Sequence, residues 1–154
     1  MRCLILGGVL GIVACSETPP ELVPAAMIEA DGIPASLTGV AGDPELGETL
    51  FVTRDRGHCV LCHVVTSLDA EFQGDVGPTL DGVGDRLTAP QLRLRIADYQ
   101  IIRPGTLMPS YYRLHDLYQV GTEYKDESVL TAQEVEDLVA YLGTLTESGR
   151  DNDG

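Results

Sequence analysis

Tryptophan is absent from the 154 residues, lysine occurs once, at Lys125, and aromatic residues make up 5%. Lys and Arg total 10 against 24 Asp and Glu, for a net charge of −14 and a pI near 4.3. So few cations argue against nucleic acid as a partner, because phosphate binding needs clustered Lys and Arg. They also argue against docking on an anionic membrane face through a basic patch. Long apolar runs are missing beyond the first fifteen residues, so no later segment can span a bilayer. Cysteine is scarce as well. Cys3 and Cys15 lie at the N-terminus and leave Cys59 and Cys62 for the folded part, which excludes a disulfide scaffold. What remains is a globular composition, 44% hydrophobic and 22% charged, of one domain's length.

The N-terminus has the layout of an export signal. Arg2 precedes a short apolar run through Ala14, too short to cross a bilayer but suited to a signal h-region. Ile12-Val13-Ala14-Cys15 resembles a bacterial lipobox. On that reading residues 1–14 are a signal peptide, and Cys15 becomes the lipidated first residue of a membrane-tethered mature chain. Ordinary cleavage after Ala26 is the alternative and leaves the chain untethered. Both place the mature protein in the periplasm. Residues 15–42, rich in Pro and Gly, read as a linker or irregular N-terminal arm, residues 43–146 as the folded domain, and residues 147–154 as a polar disordered tail.

Within the domain the helix signals are clear. Asp43-Pro44 gives an N-cap followed by proline at the first helical position, opening a helix with Leu46, Leu50 and Phe51 on one side and Gly47 open to another backbone. Residues 64–85 hold many Gly and Asp and read as a loop folded around something. Thr88-Ala89-Pro90-Gln91 resembles a capping box. The following Leu92-Arg93-Leu94-Arg95-Ile96 alternates as a strand would, but the start signal and the lack of a partner strand favour a helix. Its Arg93 and Arg95 are expected on a solvated face, with neutralisation of an anionic ligand as the alternative. Thr131-Ala132-Gln133-Glu134 is a further capping box, followed by Val135, Leu138, Val139 and Leu142 at helical spacing. The fold class is therefore all-α.

Cys59-Val60-Leu61-Cys62-His63 is a CxxCH motif, the attachment signal for haem c. Each thiol adds across one vinyl group, and a histidine directly after the second cysteine is carried under the iron. A thioredoxin-like pair would need a βαβ context, and a zinc site would need further ligands; neither is evident. For the sixth iron ligand His58, His115, Met27 and Met108 are available. His58 is too close to Cys59 to reach the opposite face, and Met27 lies in the arm. Met108, between Pro104-Gly105 and Pro109, stands on a segment able to wrap around a haem; His115 is the other candidate.

Taken with Phe72-Gln73-Gly74, Gly77-Pro78-Thr79-Leu80, Gln91-Leu92-Arg93-Leu94-Arg95 and Met108-Pro109-Ser110-Tyr111-Tyr112-Arg113, the domain resembles a class I cytochrome c. More narrowly it resembles the SoxX type, the small cytochrome subunit of SoxXA complexes of sulfur oxidation. The resemblance implies three to five helices around one covalently bound haem c, with the first and last crossing near Gly47 and Tyr141. It implies thioethers at Cys59 and Cys62, axial ligands His63 and Met108, and the Pro78 carbonyl accepting from the His63 ring; an ordinary turn proline is the alternative for Pro78. It implies an electron-transfer role beside a SoxA-type cytochrome, which couples thiosulfate to a cysteine of a SoxYZ-type carrier protein, in an L-cysteine S-thiosulfotransferase. Electrons then leave to a downstream acceptor, and the chain is not catalytic alone. A stand-alone periplasmic monohaem carrier is the alternative, and a five-coordinate sensor of NO or CO is a third reading. Tyr111, Tyr112 and Arg113 read either as partner-interface anchors or as packing against the haem.

Overall fold

A computed structural model describes residues 20–118, 120–122 and 126–147. The signal segment, the lipidation candidate Cys15 and the tail from residue 148 lie outside the described residues. Four α-helices are present among the described residues: α1 (Pro44–Val52), α2 (Val83–Arg86), α3 (Ala89–Asp98) and α4 (Ala132–Thr144), with no strand beyond an isolated bridge between Glu29 and Gly32. No described helix is long and apolar enough to cross a membrane.

The capping chemistry explains where the helices start. The Asp43 carboxylate accepts from the amides of Glu45 and Leu46, at 2.9 and 3.2 Å, and Pro44 presets the first helical residue. At α4 the Thr131 hydroxyl accepts from the Glu134 amide, and the Glu134 carboxylate accepts from the Thr131 amide at 2.7 Å. Glu134 also receives Arg56 from the loop after α1, so one carboxylate caps the start of α4 and ties it to the end of α1.

α1 and α4 cross where Gly47 meets the Asp137 carbonyl and Tyr141; any Cβ at residue 47 would overlap both. Phe51 and Tyr141 meet edge to face, with ring centroids 5.6 Å apart. The buried face of α1 is therefore Gly47 and Phe51, with Leu50 beside them. Leu46, expected on that face, is 55% exposed, because it lies a quarter turn away from the crossing.

α3 is a helix rather than a strand, and its packing explains the ambiguous pattern. Leu92 and Ile96 pack with Leu138, Val139 and Leu142 of α4 in one apolar cluster. Leu94 and Ala97 point the other way, into a second cluster with Val23 and Ile33 of the N-terminal arm. With both faces covered, apolar residues recur more often than a one-faced helix requires.

The arm is thus part of the packed body over residues 20–42, where Ile33 donates its amide to Pro90 at 2.9 Å. This corrects the expectation of a solvated arginine face. Arg93 is 6% exposed and pairs with Glu136 of α4 at 2.7 and 2.9 Å while donating to the Ile33 carbonyl at 2.6 Å. Arg95 pairs with Asp31 of the arm at 3.1 Å.

Candidate functional site

His58, held in the left-handed region at φ 44°, turns the chain into a tight 3-10 turn over Cys59–Leu61. The amides of Cys62 and His63 both donate to the Cys59 carbonyl at 3.0 Å. This turn puts the two cysteines close together, and neither is in a disulfide. Burial pushes the Cys59 thiol up to about 12, with the neighbouring Cys62 adding to the rise. No β-strand is formed among the described residues, so the βαβ context of a thioredoxin-like pair is lacking.

The ring of His63 is fixed from below. Its Nδ1 lies 2.8 Å from the carbonyl oxygen of Pro78, which leaves Nε2 free as a ligand atom when Nδ1 carries the proton. Gly77 lies flat against the same ring, where a Cβ would come within 2.6 Å of Nδ1. The Gly77 amide also donates to the Cys62 carbonyl at 2.7 Å. The strap that orients the histidine is therefore tied to the cysteine turn itself.

The Gly- and Asp-rich stretch is a loop as far as Gly82, where α2 begins, and it is ordered by side chains. The Gln73 carboxamide accepts from the Val65 amide at 2.7 Å and donates to the Leu68 carbonyl at 3.0 Å. Asp81 accepts from both the amide and the hydroxyl of Thr66, at 2.8 and 2.6 Å. These two residues were not assigned a role from sequence; their partners lie five to fifteen positions away and follow no helical or strand spacing.

Met108 is half-buried on the segment between α3 and α4. The chain after it is pinned to the end of α3. The Tyr111 amide donates to the Ile96 carbonyl at 3.4 Å, the Tyr112 amide to that of Ala97 at 3.0 Å, and the Ser110 hydroxyl to Asp98 Oδ1 at 2.6 Å. Burial raises the Tyr111 phenol well above the ordinary tyrosine range, and Cys59 and Cys62 are near enough to add to the effect. Tyr111 and Cys59 also pack against the same apolar cluster, which brings the methionine segment and the cysteine turn onto one core. Arg113 is engaged with Asp98 at 3.3 Å and is only partly available to a partner. The other two histidines differ in their surroundings. His58 caps the cysteine turn, while the His115 Nδ1 is the one buried side-chain polar atom without a partner among the described residues.

The donor set fits haem c: two unpaired thiols on one turn, an imidazole with Nδ1 already engaged, and a thioether on a loop linked to that turn. No group of three or more His, Cys, Asp or Glu able to hold a metal ion occurs among the described residues.

The comparisons agree with the site. The family model for cytochrome c matches residues 44–146. The chain belongs to the cytochrome c family, and it binds one haem c covalently. A solved chain from the structure of SoxXA from P. pantotrophus is 38% identical, with a TM-score of 0.72, over 79% of this chain and 95% of that one. Within its family the protein is of the SoxX type, an electron-transfer haem protein. A comparison with curated protein sequences gave no match.

Proposed function

We propose that the chain is the electron-transfer subunit of a periplasmic, SoxXA-type L-cysteine S-thiosulfotransferase. The observation that carries this reading is the 38% identity to a chain of SoxXA over 95% of that chain's length. The string Met108-Pro109-Ser110-Tyr111-Tyr112-Arg113 adds specificity that CxxCH alone lacks. In the proposed assembly Cys59 and Cys62 anchor the haem, and His63 and Met108 are its axial ligands. The Pro78 carbonyl holds the His63 ring. Haem c supplies a one-electron centre.

The reaction served is oxidative. A sulfur–sulfur bond forms between thiosulfate's sulfane sulfur and a carrier cysteine, the thiol proton leaves, and two electrons are released. The chain has no cysteine in its domain beyond Cys59 and Cys62, so the bond is made in a SoxA-type partner. A SoxYZ-type carrier is reached through that partner. One haem takes one electron, so the two electrons cannot both rest on this subunit and must pass on singly to a downstream acceptor.

The test is a native pull-down from thiosulfate-grown source cells, followed by haem-stained denaturing electrophoresis. A second, larger haem-bearing band in fixed ratio is the expected result. A single small haem band would sink the subunit reading in favour of an independent carrier. Labelling cells with a radioactive fatty acid tests the tether: the wild-type chain is expected to carry label, and Cys15→Ala to carry none.

A further inference from the structure

Asp98, the last residue of α3, is 2% exposed. A buried carboxylate is costly unless charge and hydrogen bonds compensate it. Both of its side-chain partners come from the segment that begins at Met108. Ser110 donates its hydroxyl to Oδ1 at 2.6 Å, and Arg113 Nη1 faces Oδ2 at 3.3 Å. Arg113 is itself oriented, since its Nε donates to the His115 carbonyl at 3.0 Å.

On the other side of Met108 the chain is held by short-range turns, with the Arg103 amide donating to the Tyr99 carbonyl at 2.9 Å and the Thr106 amide to the Arg103 carbonyl at 3.2 Å. Closer to the methionine, Leu107 is 86% exposed, and the Met108 amide meets the Thr106 hydroxyl at 3.2 Å. The buried, charged anchor of the methionine loop therefore lies on its C-terminal side, and Asp98 gathers the side chains of that anchor.

We infer that Asp98 is the positioning residue for the Met108 thioether. This rests on the reading that Met108 is the sixth iron ligand. Two effects make the position matter. A neutral thioether is a weak ligand, and a loop free to swing lets it detach. Holding Ser110 and Arg113, which follow it, at a buried, charged anchor keeps the bound geometry populated. A hydrogen bond to a buried charge is strong enough to shift such an equilibrium by about tenfold. Asp98 touches neither iron nor substrate, so its effect passes through Met108.

The test uses haem-loaded protein carrying Asp98→Asn, Ser110→Ala, Met108→Ala or, as a control, Glu136→Gln. Glu136 is also a buried, arginine-paired carboxylate, but it holds the N-terminal arm. Four quantities are read: the thioether-to-ferric-iron charge-transfer absorption, the rate of CO binding to the ferrous form, the midpoint potential and the urea midpoint. Asp98→Asn and Ser110→Ala are expected to weaken the absorption, lower the potential and speed CO binding by about tenfold. Glu136→Gln should lower the urea midpoint alone. If Asp98→Asn and Ser110→Ala behave like Glu136→Gln, Asp98 is a structural residue and the inference is overturned. If Met108→Ala keeps the absorption, Met108 is not the ligand, and the underlying reading fails first. Should Asp98→Asn not accumulate with haem, Ser110→Ala removes one arm of the anchor with less disturbance and decides the matter.

Discussion

With His63 and Met108 as the proposed axial ligands, replacements on the two faces of the haem should move the potential in opposite directions. Met108→Ala takes away a neutral ligand that favours ferrous iron, so the potential is expected to fall while haem stays attached. Gly77→Ala acts on the other face. Its new Cβ would come within 2.6 Å of the His63 Nδ1 and must turn the ring away from the Pro78 carbonyl. The ring then loses the bond that raises its basicity, ferric iron is less stabilised, and the potential should rise. Potentiometric titration of the two variants checks both signs, and a shared direction would refute the assignment of faces. Cys59→Ala or Cys62→Ala should each leave one thioether, seen as a shifted reduced absorption spectrum. These residues were legible in the sequence because covalent attachment demands a fixed spacing. Asp98 and Gln73 were not. Each acts on atoms several residues away through an irregular loop, and neither type nor spacing marks it beforehand.

At the scale of helices, the α1–α4 crossing is where small size matters most. A methyl group at Gly47 would strike the Asp137 carbonyl and the Tyr141 Cβ, both on the rigid interior of α4. Gly47→Ala should therefore part the helices and cost about 1–3 kcal/mol, typical of overpacking. Urea denaturation of the haem-loaded protein measures it; a midpoint equal to or above wild type would show that the crossing has room. The helix starts were readable, since an N-cap aspartate and a capping box are local chemistry that tertiary packing merely confirms. On α1 the reading of Gly47, Leu50 and Phe51 holds, and only Leu46 was misplaced, since apolar character alone does not say on which side of the Gly47 contact it falls. α3 was ambiguous for a different reason. Its two buried faces serve two clusters, and the second cluster exists only because the arm folds back over it. Composition rich in proline and glycine said that residues 20–42 carry no long helix, but not where they dock.

The docking of that arm ties the stability of the whole molecule to acidity. Glu136 sits at the centre: it accepts from Nε and Nη2 of Arg93 and, through Oε1, from the Leu37 amide at 2.8 Å. Burial by itself would raise its pKa, but Arg93 and the Leu37 amide outweigh burial and hold it below the ordinary 4.5. Asp31, gripped by Gln91 and Arg95, is likewise held below 3.8. A carboxylate with a depressed folded pKa gives its full stabilisation above the unfolded value and loses it as pH falls through the folded one. The arm should therefore stay closed at neutral pH and loosen below about 4.5, Glu136 being the larger buried contributor. Removing one partner is worse than titrating it: Glu136→Ala strands a buried guanidinium and should cost about 3–5 kcal/mol. Replacing both, with Arg93→Met and Glu136→Leu, spares the charge but leaves the Leu37 amide and the Ile33 carbonyl without partners, about 1–3 kcal/mol each. Hydrogen exchange at the Leu37 amide, corrected for its intrinsic rate, separates the arm from the rest. Its protection should fall with pH in the wild type and lose that dependence in Glu136→Gln, while the α4 amides stay protected. Equal loss in the arm and α4 would mean that the molecule opens as one unit, and that the buried pair does not govern the arm.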